Sequence, residues 1–192
     1  MPPKTKFTKE QIIEVALALV KEEGIESLTA RSLGKRLGTS SCPIFTVFAN
    51  MDEVHQSVIQ QAQKVYKGYI EKGLQERPAF KGVGMQYIQF AQYEPELFRL
   101  LFMRATPSQH IDQLLPLLDE NYDLILSSVQ NTYGLSTEKA QRIYLHMTIY
   151  THGIATFLLQ QSYRFTQEEV SQMLTEVFMS LLMRMKGESA HD

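Results

Sequence analysis

Ile12, Ile13, Ala16, Leu17 and Val20 fall on one helical face, so residues 8–23 read as an amphipathic helix. Thr8 with Gln11 makes a capping-box pattern at its start, and Gly24 stops it. A second start stands at Thr29: Ala30, Leu33 and Leu37 form an inner face, while Arg31 and Lys35, four apart, project outward together. Gly38 ends this helix and leaves two or three residues before a short third one, about Ser41–Phe48, with Ile44 and Phe48 facing in. Pro43 falls in its first turn, where a missing N–H costs little. Asn50 with Glu53 caps a long fourth helix running toward Leu74.

After Leu74, Glu76-Arg77-Pro78 with Gly82 and Gly84 marks a composition shift that reads as a domain seam. Helical patterning resumes over Tyr87–Tyr93. Glu94-Pro95 reads as a breaker before a short apolar turn, Glu96–Met103. Pro107-Ser108 opens a helix to about Tyr133, with a kink at Pro116 and a stop at Gly134. Ser136 and Thr166 cap two final helices, about 137–162 and 167–186, and the tail from Gly187 to Asp192 is expected to fray. No stretch alternates with period two. The expectation is an all-α protein of about nine helices: an N-terminal three-helix module at 6–66 and a C-terminal helical domain at 75–187.

Two short helices around a tight glycine turn, laid on a first helix that supplies the core, is the helix-turn-helix arrangement. Charge supports it. The net charge is only −2, yet Arg31, Lys35 and Arg36 are the only charges between Thr29 and Asn50, and Lys4, Lys6 and Lys9 precede the first helix. A local basic surface on a mildly acidic body suits a small DNA-binding module.

The last helix carries Val170, Met173, Leu174, Val177, Phe178, Leu181, Leu182 and Met185 in an unbroken stripe. The helix before it presents Ala140, Ile143, Tyr144, Met147, Thr151, Ile154 and Leu158, broadened by Ile149, Tyr150 and Phe157. One partner cannot easily cover so wide a face. Pairing both helices with their copies across a two-fold axis gives a four-helix interface, lined by Ile143, Met147, Ile154, Met173, Leu174, Val177, Phe178 and Leu181. The same stripes could instead pack the core of a single chain.

The 192 residues are 44% hydrophobic, enough for a sizeable core. No apolar run approaches the roughly 20 residues of a membrane helix, and Met1-Pro2-Pro3-Lys4 lacks a signal-peptide pattern, so a cytoplasmic location is expected. Cys42 is the only cysteine, which excludes an internal disulfide framework and a Cys-based zinc site. His146 and His152, six apart, do not share the helical face a metal pair needs. No phosphate loop, nucleophile elbow or His-Glu metal helix is present, so neither catalysis nor a cofactor is expected.

The run Leu28-Thr29-Ala30-Arg31-Ser32-Leu33-Gly34-Lys35-Arg36-Leu37-Gly38-Thr39-Ser40, with Pro43-Ile44-Phe45-Thr46-Val47-Phe48, resembles the signature of the TetR/AcrR family of transcriptional regulators. The Ile-Ile-Glu-Val-Ala first helix and Glu-Glu-Gly-Ile-Glu lead-in extend the match over residues 6–60. The resemblance implies that Thr29 and Arg31 touch phosphates, and that Ser41, Cys42, Pro43, Phe45, Thr46 and Val47 face a major groove. It implies a homodimer on a palindromic operator in double-stranded DNA, repression, and release by a small-molecule effector. This chain departs from the pattern at Phe45, where members often have tyrosine, and at Met51, where they often have lysine. Losing two phosphate anchors flattens the salt dependence of binding.

Tyr87-Ile88-Gln89-Phe90-Ala91, Pro95-Glu96-Leu97-Phe98-Arg99-Leu100-Leu101-Phe102 and the step His152-Gly153 resemble a C-terminal domain type found on some TetR regulators, although its usual tryptophan is absent. The resemblance implies a pocket among the C-terminal helices. Phe90, Phe98, Phe102, Met103, Tyr122, Met147, Tyr150 and His152 are its candidate lining, for a lipophilic or aromatic effector. An interaction protein with a degenerate helix-turn-helix is the alternative, and an all-helical enzyme a lesser one.

Overall fold

The computed structural model describes residues 7–104, 121–160 and 164–187. Among these residues it holds eight α-helices and two 3-10 turns: α1 (Lys9–Glu23), α2 (Ala30–Arg36), α3 (Met51–Leu74), α4 (Ala79–Tyr93), α5 (Pro95–Phe102), α6 (Tyr122–Tyr133), α7 (Thr137–Leu159) and α8 (Gln167–Gly187), with the 3-10 turns at Ile25–Ser27 and Ile44–Thr46. The described residues contain no strand. The expected helix opening at Pro107-Ser108, its kink at Pro116, the lysines Lys4 and Lys6 and the tail beyond Gly187 lie outside the described residues.

Local chemistry sets the boundaries. Thr8 and Gln11 form a reciprocal capping box at α1, at 2.9 and 3.2 Å. Gly24, at φ 80°, ends that helix in a conformation an L side chain rarely adopts. Thr29 and Ser32 make a second box at α2. Asn50 Oδ1 accepts the Glu53 N–H at 2.9 Å to start α3, and Thr166 pairs with Glu169 at α8.

The chain forms two compact units. One takes the sequence to Val65 and adds the segment from Glu94 that contains α5. Ile12, Ala16, Leu19 and Val20 of α1 meet Leu33, Ile44, Phe48, Val54 and Val58 in its core. Leu97, Phe98 and Leu100 of α5 are buried in the same unit, where α5 packs on α1. Lys21 of α1 donates to Glu94 at 2.8 Å beside that contact. Glu94-Pro95 therefore starts a helix rather than only breaking one, because proline at the first helical position gives up an N–H that has no helical partner.

The other unit holds Tyr66–Tyr93 and the C-terminal helices. α4 is its hub, packing on α6, α7 and α8. Gly82 and Gly84, which read as a seam, lie inside α4. They permit close approach: Gly82 lies against the backbone of Gly73 and Gly84 against Leu174. Lys139 donates to the Met185 carbonyl at 2.7 Å, a cation closing the C-terminal end of α8.

The stripes of α7 and α8 turn inward. Ile143, Met147, Ile154, Leu174 and Phe178, expected at a dimer face, are buried within the single chain, and Met173, Val177 and Leu181 are half-buried. The apolar side chains these helices leave in solvent are Ile149 and Phe157 on α7 and Met179 and Met183 on α8. No helix among the described residues is long and apolar enough to cross a membrane.

Candidate nucleic-acid interface

The candidate reading segment begins where α2 ends. Gly38, at φ 66°, reverses the chain after Leu37, and Thr39 N–H returns to the Gly34 carbonyl at 2.9 Å. A Cβ on Gly34 would stand 3.0 Å from the Ser40 backbone, so a glycine there lets the next segment lie close on α2. From Ser41 to Val47 the backbone is held by successive i+3 bonds, from Ile44 N to Ser41 O, Phe45 N to Cys42 O, Thr46 N to Pro43 O and Val47 N to Ile44 O. The expected α-helix of Ser41–Phe48 is thus corrected to a tighter 3-10 turn: Pro43 removes an N–H at its start, and the segment is too short to propagate an α-helix.

The turn has an inside and an outside. Ile44 and Phe48 are fully buried behind it, each side chain contributing about 1.5–3 kcal/mol by leaving water. Cys42, Phe45 and Thr46 are exposed, and Ser41, Pro43 and Val47 half-exposed. Met51 opens α3, half-buried. Thr29 is exposed, but its hydroxyl already accepts the Ser32 N–H as the α2 cap.

The charges sort into held and unheld. Arg36 is drawn back onto Glu22 and Glu23 of α1, and this pairing holds the Glu22 carboxyl below the usual carboxylate range. Lys9 bridges to Glu53 at 2.5 Å with its ammonium 4.8 Å from the Phe48 ring centre. Lys9, followed by the Ala49 N–H at 2.8 Å, lowers the Glu53 pKa. The Glu53 carboxylate beside the turn is therefore paired within the module. Arg31 and Lys35 are exposed with no ion-pair partner among the described residues. Behind them, His55 of α3 shares a 2.9 Å hydrogen bond with the Leu28 carbonyl, fixing the chain just before the α2 cap. Sequence patterning gives no signal for that tether, nor for the partners of Arg36 and Lys9, because each spans elements far apart in the chain.

The candidate effector residues divide between the units. Phe98 and Phe102 pair at 5.0 Å within α5, and Met103 is exposed just past the end of that helix. In the second unit Phe90 is wholly buried between Tyr66 and Tyr69, with ring centres at 5.3 and 5.4 Å. Tyr122 meets Tyr144 edge-on at 5.1 Å, Met147 is buried and Tyr150 half-buried. His152 Nδ1 lies 2.9 Å from the Tyr87 hydroxyl, and burial lowers its pKa. Gln86, only 2% exposed, donates to Glu76 at 3.3 Å and leaves its Oε1 without a partner among the described residues. An open groove of about 400 Å³ by Leu74, Pro78 and Leu124 includes none of the candidate effector residues. No cluster of three or more potential metal ligands occurs among the described residues.

Residues 80–181 match the family model of the tetracyclin repressor-like C-terminal domain. The nucleoid occlusion factor SlmA of Glaesserella parasuis serovar 5 (strain SH0165) is 26% identical over 106 residues, 53% of this chain and 53% of its own. That of Actinobacillus pleuropneumoniae serotype 5b (strain L20) is 25% identical over 107 residues, again 53% of each. The chain spans about half the length of the curated relatives it matches. The fatty acid degradation regulator FadR from Bacillus halodurans superposes with a TM-score of 0.57 at 15% identity, covering 91% of this chain and 98% of that one, a likeness of fold. With a C-terminal domain match over more than half its length, the chain belongs to the tetracyclin repressor-like (TetR) family.

Proposed function

We propose that the protein is a cytoplasmic, homodimeric repressor that holds a palindromic operator and lets it go when a lipophilic or aromatic effector binds. One observation carries the DNA-binding part: the 41–47 turn is moored by buried Ile44 and Phe48 while Cys42, Phe45 and Thr46 face solvent, beside the exposed charges of Arg31 and Lys35. Phosphate contacts by α2 would set the register, and the turn would meet base edges. Two such turns must lie about one helical turn of DNA apart, roughly 34 Å. The exposed Ile149, Phe157, Met179 and Met183 support a two-fold contact through α7 and α8.

The effector reading rests on the second unit. That unit holds buried aromatic rings and a few polar handles, Gln86 Oε1 and the Tyr87–His152 pair, the usual composition of a small-ligand site. The shared fold with a regulator of fatty acid degradation supports the lipophilic class. An effector acts only by preferring one of two states of the dimer.

The test is a footprint and mobility-shift titration of the purified dimer against its own upstream DNA. A symmetric protected site, weakened by a ligand extracted from the protein and identified by mass spectrometry, is the expected result. A dimer that protects no sequence at low salt overturns the reading and favours a protein-interaction role. An extracted ligand that binds yet leaves operator affinity unchanged overturns the effector half alone.

A further inference from the structure

We propose that this reading turn selects its operator through thymine methyl groups, and that Phe45 is the side chain that meets them. The inference rests on the reading above, that residues 41–47 enter a major groove. From Ser41 to Val47 there is no charged side chain and no carboxamide. Bidentate readout of guanine or adenine, which needs arginine, lysine, asparagine or glutamine, has no donor on the turn. The Thr46 hydroxyl proton is already given to the Pro43 carbonyl at 2.6 Å, which leaves that oxygen an acceptor only. Beyond the hydroxyls of Ser41 and Thr46 and the Cys42 thiol, what the turn offers is apolar. Phe45 stands 45% exposed although its neighbour Ile44 is fully enclosed, with the half-exposed Pro43 and Val47 to either side.

An aromatic ring held in water gains by any contact that removes its surface from solvent. In the major groove the apolar group a base pair presents is the C5 methyl of thymine. The positive charges stand apart on α2, at Arg31 and Lys35, where they can serve the backbone without reading sequence. Affinity and selection are thereby assigned to different elements: phosphate contact to α2, methyl contact to the turn.

The experiment begins with selection of bound duplexes from random DNA by the full chain. Each thymine of the selected operator is then replaced by deoxyuridine, which deletes only the methyl group. Replacement of one symmetry-related thymine pair should weaken binding about 15-fold, about fourfold for each methyl lost. In Phe45→Ala the same replacement should change nothing, whereas Phe45→Leu should keep the sensitivity. Both variants sit on an exposed position, and unchanged melting curves establish that they fold. An operator bound specifically whose thymines all tolerate the replacement overturns this inference and leaves the regulator reading intact. A uracil effect undiminished in Phe45→Ala overturns the assignment to Phe45. Selection that enriches no sequence overturns both the inference and the reading beneath it.

Discussion

A methyl group on Gly82 would lie 2.3 Å from the carbonyl oxygen of Gly73, and one on Gly73 would lie 2.7 Å from the Cα of Val83. The end of α3 and the start of α4 therefore pack backbone against backbone, around a turn that contains the cis Arg77–Pro78 peptide. Backbone atoms cannot swing aside as a side-chain tip can. Gly73→Ala and Gly82→Ala should each cost about 1–3 kcal/mol of stability, the range for overpacking a tight contact. Gly68→Ala, in the middle of α3 with nothing within 4 Å, should instead gain about 0.5–1 kcal/mol. Urea midpoints of the three variants test the contrast. Three equal midpoints would mean that the α3–α4 contact can relax freely.

Held and unheld cations near the reading turn make a second prediction. Each phosphate contact contributes about −0.9 to the slope of log affinity against log salt. Arg31→Ala and Lys35→Ala should each flatten the slope by about 1.8 for a dimer, which loses two contacts. Arg36→Ala should leave the slope near that of the parent chain, since Glu22 and Glu23 already occupy the guanidinium. Mobility shifts across a salt series read all three. A large slope change in Arg36→Ala alone would show that DNA displaces the two glutamates.

Much of this molecule was legible because its signals are local. The capping pairs Thr8–Gln11 and Asn50–Glu53 lie within three residues, and so do the rules that govern them. Ile44 and Phe48 were readable as anchors by spacing alone. Signals that depend on distant partners were not. Nothing at Lys9 or Arg36 announces Glu53 or Glu22, so the basic patch looked larger than it is. The breadth of apolar residues on α7 was visible, yet which side faced the core was decided by how α4 packs against it. Ile143 and Met147 went inward, while Ile149 and Phe157 were left outside. Gly82 and Gly84 marked a seam by composition and serve a close helix crossing instead.

Those outward residues lead to the third prediction. Phe157→Glu and Met183→Glu place charges on side chains 46% and 67% exposed in the single chain, so its core should be undisturbed. If these faces meet a second copy, each variant buries two like charges near the two-fold axis, and a desolvated, unpaired charge is costly. Sedimentation should show monomers where the parent sediments as a dimer, with operator affinity lost in parallel. Leu124→Glu, on α6 and 61% exposed, is the control that should remain dimeric. Dimers that survive both α7 and α8 charges would place the contact elsewhere.

The Tyr87–His152 pair ties stability to pH. Burial depresses the His152 imidazole below its ordinary value of 6.5, so the folded chain favours the neutral ring, which can accept the Tyr87 hydroxyl proton at Nδ1. Between the folded value and 6.5 the unfolded chain binds more protons than the folded one, so stability rises with pH across that window. The contribution is complete above about 6.5, declines as pH falls through it, and levels off below the folded value. Four other histidines are present in the chain, so the informative quantity is a difference between variants. Urea midpoints of the parent chain should fall between pH 7.5 and pH 5 more steeply than those of His152→Gln, which cannot take up the proton. Tyr87→Phe should keep some of the slope, because the ring remains buried when the hydroxyl is gone. Equal slopes for the parent and His152→Gln would show that the imidazole titrates in the folded chain as it does in the unfolded one.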